Sequence, residues 1–75
     1  MNVTTIENNA ELIRENRHGL QLRRAKDRTQ TWPGYDASFP LDRPGYWIGT
    51  HRKHDYVSTS LEQALREWDY LNCED

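Results

Sequence analysis

Three tryptophans, four tyrosines and a phenylalanine stand in a chain of only 75 residues, and that ring content limits what the chain can fold into. A domain of this size buries only about 60–65% of the surface its unfolded chain exposes. Each large ring removes roughly 150–250 Å² from water, so each is either part of a thin core or a contact for something else. Hydrophobic residues make up 35% and charged residues 29%, a lean balance that is still too rich in rings for a disordered chain. The length predicts one small domain over residues 1–75.

Cys73 is the only cysteine, so no internal disulfide staples the fold. No leader-like pattern of basic, apolar and small residues opens the sequence, and no apolar run approaches about 20 residues. The expectation is a cytoplasmic protein with no membrane contact, in the host cytoplasm if a virus encodes it.

Local signals predict a helix first. Thr4 precedes Glu7 by three positions, a reciprocal capping arrangement. Ile6, Ala10 and Ile13 follow at helical spacing, and His18-Gly19 suits a helix end. Leu20 and Leu22 then alternate as in a strand, which puts Arg24 and Lys26 on their side and Arg23 on the other. Residues 29–45 hold Pro33-Gly34, Pro40 and Pro44-Gly45 and read as an irregular loop carrying Trp32, Tyr35 and Phe39, expected to wrap back over the sheet or else to display a binding surface.

Tyr46-Trp47-Ile48-Gly49-Thr50 is the clearest strand, apolar on both sides and therefore central. His51-Arg52-Lys53-His54-Asp55 suits a hairpin tip, with Tyr56-Val57-Ser58-Thr59 returning. A last helix is marked by Ser60 capping towards Gln63 and by the stripe Leu61, Ala64, Leu65, Trp68 and Leu71. Residues 72–75 are expected to fray. The sum is an α+β domain of helix, strand, hairpin and helix, with about three short antiparallel strands packed against two helices.

Chemistry is thinly signalled. His51 and His54 lie three apart, but a closed zinc site takes about four ligands and Cys73 is remote, so no metal and no cofactor is expected. Asp36, Asp42, Asp55 and Glu62 are candidate acids or bases only if a pocket separates their pKa values. No nucleophile elbow, phosphate loop or dinucleotide fingerprint occurs. The chain reads as a non-enzyme.

Binding is left, in two forms. Exposed rings beside arginine are the usual anchors of protein interfaces, which nominates Trp32, Tyr35, Phe39 and Arg23 as protein-binding residues. Nucleic acid is the alternative. Arg23, Arg24, Lys26 and Arg28, joined by Arg52 and Lys53 at the hairpin tip, could follow a phosphate backbone. The formal net charge of −2 weighs against that second form. The charged residues from Asp55 onward are acidic except Arg66, so the basic segment could equally pair with the chain's own last helix.

Gly19-Leu20-Gln21-Leu22-Arg23-Arg24, then Gly45-Tyr46-Trp47-Ile48-Gly49, then Ser60-Leu61-Glu62-Gln63-Ala64 together resemble small helix–sheet–helix proteins of bacteriophages and their bacterial hosts. The resemblance covers residues 12–71. It implies no catalytic residue. It implies a phage-type accessory factor that binds a host protein machine and inhibits or modulates it.

Overall fold

A computed structural model describes residues 9–34 and 38–72. Along them run β1 (Glu11–Glu15), β2 (Gln21–Ala25), β3 (Thr31–Pro33), β4 (Ser38–Pro40), β5 (Gly45–Gly49), β6 (His54–Ser58) and α1 (Leu61–Asn72). Four strands form an antiparallel sheet in the order β1-β2-β5-β6, and β3 and β4 form a separate antiparallel pair. The expected three-stranded sheet between two helices is therefore corrected. Among the described residues the fold is mostly sheet, with one helix.

The first correction falls on the N-terminal segment. Thr4, Ile6 and Glu7 lie outside the described residues, but Glu11–Glu15 is a strand, not the continuation of a helix. Its register passes from Leu12 opposite Arg23 to Arg14 opposite Leu22, which leaves Ile13 as an inserted residue. Such a bulge breaks the two-residue alternation that would betray a strand in the sequence. Gly19 (φ +88°) does turn left-handed, but in a hairpin connection rather than after a helix. Asn16 organises that turn: its Oδ1 accepts from the backbone N–H groups of His18 (2.9 Å) and Leu20 (3.0 Å).

The second correction falls on residues 29–45. β3 and β4 pair Thr31 with Pro40, Trp32 with Phe39 and Pro33 with Ser38. Three-residue strands are too short to show a period, and proline is tolerated because the pair is all edge. Tyr35 lies outside the described residues.

β5 lies between β2 and β6, central as its two-sided apolar character predicts. One face of the sheet packs Leu22 and Ile48 against Ala64 and Trp68 of α1, with Tyr46 and Val57 at the margin. The opposite face packs Trp47 and Ala25 with Ala10, Trp32 and Leu41, so the β3–β4 arm covers it. The returning strand starts two residues earlier than the alternation suggests, which takes His54 and Asp55 out of the hairpin tip and into β6.

α1 starts as its cap predicts, the Gln63 N–H donating to Ser60 Oγ (3.4 Å). It begins just past β6 and ends beside the β1–β2 turn, where Asn16 Nδ2 donates to Asn72 Oδ1 (2.6 Å). Asn72, placed in the tail by the sequence, is the last residue of the helix; residues 73–75 lie outside the described residues. The helix thus crosses the sheet obliquely, and the turn end of β5 and β6 is left open beneath its C-terminal half.

Candidate protein-binding site

Of the rings nominated as a binding surface, Trp32 is built into the core under the arm, Phe39 is not, and Tyr35 lies outside the described residues. Trp32 is fully buried (0% exposed), and its Nε1 donates to the Thr50 carbonyl (2.8 Å). The His54 imidazole stacks on it at 5.2 Å between centroids with 17° between planes. Arg23 lies over the same indole, 5.9 Å from the ring centre. Trp47 contacts His54 and meets Tyr56 edge-on. Phe39 is the exception: it touches the edge of this cluster through His54 and remains 44% exposed.

Arg23 is likewise occupied. Its Nη1 donates to the Ala10 carbonyl (2.6 Å) and its Nε to Gln21 Oε1 (2.8 Å), while Gln21 Nε2 donates to Glu15 Oε2 (3.1 Å). Burial pulls the guanidinium pKa below its ordinary value and the Glu15 carboxylate pushes it back up. The charge fastens β1, β2 and the arm together.

The basic residues do not form one footprint. β2 and β5 are antiparallel, with Gln21 opposite Gly49 and Ala25 opposite Gly45. Arg24, Lys26 and Arg28 therefore lie at one end of the sheet, and Arg52 and Lys53 at the other. Arg23 points to the face away from Arg24, and Arg24 has Glu11 within 3.7 Å. Lys26 and Arg28 flank Asp27, whose carboxylate accepts from the Thr29 N–H (2.8 Å) to shape the turn. Those hydrogen bonds, from the Thr29 hydroxyl first and then its N–H, hold the Asp27 pKa below the ordinary carboxylate value.

A different region is concave, and none of the described residues fills it. Beneath the C-terminal half of α1 runs a trough of about 590 Å³. Leu20, Ile48 and Val57 supply apolar floor, and Leu71 and Glu67 form the helical wall. Lys53 and Asp55 line the side that belongs to the β5–β6 hairpin. Leu71, a large apolar residue at the rim, is 47% exposed among the described residues.

The trough adjoins β6, one of the two edges of the sheet. An edge strand directs half its backbone N–H and C=O groups away from its only neighbour, a template for another strand. The two edges are defended unequally. β1 carries Glu11, Arg14 and Glu15, all exposed, and an inserted residue within its five. β6 carries one exposed charge, Asp55, and its register shift comes late, at Val57. Sequence reasoning missed this site because strand order decides which strand is an edge. The only local signal was the apolar stripe of α1 running on to Leu71, past where the sheet covers it.

Among the described residues no three His, Cys, Asp or Glu side chains gather in a metal-ligating group. Nor is any helix among them long and apolar enough to cross a membrane. No family model matches the sequence, and comparison with curated proteins and with solved structures finds no similar one.

Proposed function

We propose that this chain is a non-catalytic accessory factor that binds another protein by accepting an extended segment along β6. The observation that supports this reading is the apolar-floored trough lying directly against the less defended edge of the sheet. Main-chain hydrogen bonds to an edge strand supply affinity without catalytic groups, and a neighbouring recess for alternate side chains supplies choice of partner. Trp32 and Arg23 take no part in this surface and fasten the opposite face of the sheet. Phe39 is a second, smaller contact on the arm. A modulatory role on a host machine, as the phage-type resemblance implies, is compatible with such a capture surface.

The test is affinity capture with wild-type protein, Leu71→Glu and Phe39→Ala, each checked for folding by circular dichroism. The captured partner is then titrated into labelled protein and amide shifts are followed. The expected result is loss of the partner with Leu71→Glu, near-normal capture with Phe39→Ala, and shifts concentrated at residues 54–58. Retention by Leu71→Glu, with shifts on the arm instead, sinks the edge reading. Binding to duplex DNA that falls steeply between about 50 and 200 mM salt would put the nucleic-acid function in its place.

A further inference from the structure

Resting on that reading, we infer that the segment accepted at β6 is an antiparallel strand carrying an apolar residue followed, two positions later, by Lys or Arg. The order comes from the residues β6 presents on the trough side. Asp55 is paired with Ile48, and Val57 packs with the same helix-side cluster, so both project to the face where the trough lies. Directly opposed residues in an antiparallel pair sit about 4.5–5.5 Å apart and interact as pairs. An incoming strand therefore places one side chain against Val57 and the apolar floor, and another against Asp55.

Charge selects what meets Asp55. The ionisable groups lining the trough are the carboxylates of Asp55 and Glu67 and the ammonium of Lys53, a net charge of −1. The last turn of α1 carries no basic residue, so the negative pole of the helix adds to that field at the Leu71 end. A cation opposite Asp55 is attracted and a carboxylate there is repelled.

Direction follows from the sheet itself. All three pairings within it are antiparallel, and antiparallel pairing is slightly more stable per residue. Since β6 runs from His54 to Ser58, an antiparallel strand meets Val57 before it meets Asp55. The register shift at Val57 ends regular pairing there, so the recognised stretch is short and its order matters.

Three fluorescently labelled strand-forming peptides test this by anisotropy, with centres Val-Thr-Lys, Lys-Thr-Val and Val-Thr-Glu. The expected result is Val-Thr-Lys binding roughly fivefold or more tighter than either of the others at low salt. Asp55→Lys, whose side chain is exposed, should turn the preference towards Val-Thr-Glu. If that variant fails to fold, Glu67→Lys should weaken the preference in the same direction. Equal or tighter binding of Val-Thr-Glu, or of Lys-Thr-Val, by wild-type protein overturns the inference, while the edge reading survives provided Leu71→Glu still abolishes binding. If none of the three peptides binds at millimolar concentration, the edge reading falls and the inference with it.

Discussion

The two faces of the four-stranded sheet are closed by different means. On the arm face, rings stack: Trp32, Trp47, His54 and Tyr56 are fixed by an indole N–H to a carbonyl, by Arg23 and by edge-to-face contact. On the helix face, Leu22, Ile48, Ala64 and Trp68 pack around α1, and the closure stops short of the turn end. Aromatic closure with hydrogen-bonded partners leaves little to adapt to a ligand. Closure by one oblique helix, through Trp68 and aliphatic neighbours, leaves a trough at the turn end. Trp32 and Arg23, which read as binding residues in the sequence, are taken up in closing the arm face, and the binding reading rests on the other one.

Removing a ring is the strongest way to break that contrast. Trp32→Ala should cost about 4–5 kcal/mol, since the indole is fully buried and its hydrogen bond to Thr50 goes with it. Trp68→Ala, on the helix face and 8% exposed, should cost nearer 3 kcal/mol. Urea unfolding followed by circular dichroism compares them, and equal losses would remove the distinction. Against a total of about 5–15 kcal/mol for proteins generally, the first variant is expected to be largely unfolded at 37 °C.

A smaller effect sharpens the role given to Arg23. Arg23→Met keeps most of the stem over Trp32 but leaves the Ala10 carbonyl and Gln21 Oε1 without their donor. The expected loss is about 1–2 kcal/mol in urea, with no change in peptide binding at β6. If Arg23→Met instead abolished partner capture at unchanged stability, the guanidinium would be a contact and not a fastener.

The smallest effect is a pH dependence of the arm. Burial holds the His54 imidazole below its ordinary value, with Asp55 pulling the other way. The folded pKa lies below the unfolded one, so the folded state binds fewer protons between them. Stability from this group is full above about pH 6.5 and declines as pH falls towards the folded pKa. His54→Phe should flatten that part of the urea midpoint against pH curve. An unchanged slope would place the titration elsewhere.

Where sequence reasoning succeeded, a local cause was enough. The cap at Ser60, the apolar stripe of α1 and the alternation of Tyr46-Trp47-Ile48 each lie within a few residues, and each element formed there. It failed where a distant partner decided. Glu11–Glu15 is a strand because β2 pairs with it, and the bulge at Ile13 erased the pattern that would have shown it. Gly19 suits a helix end and a hairpin turn equally, because both need the same backbone conformation. His54 read as a turn residue because its neighbours are Arg52, Lys53 and Asp55; its position among Trp32, Phe39 and Trp47 comes from chain that lies far away in sequence.

Gly49 shows the same division in one residue. A Cβ there would collide with the Lys53 carbonyl, a closeness set by how β5 and β6 turn back on each other. The sequence by itself determined the last helix, the central strand and the supply of rings, because these depend on spacing and on caps within one turn of chain. Only the tertiary structure decided which rings are buried, that the basic residues separate to opposite ends, and that β6 stands at an edge of the sheet among the described residues. Those depend on strand order and register, and pairing between distant segments leaves no trace in local periodicity.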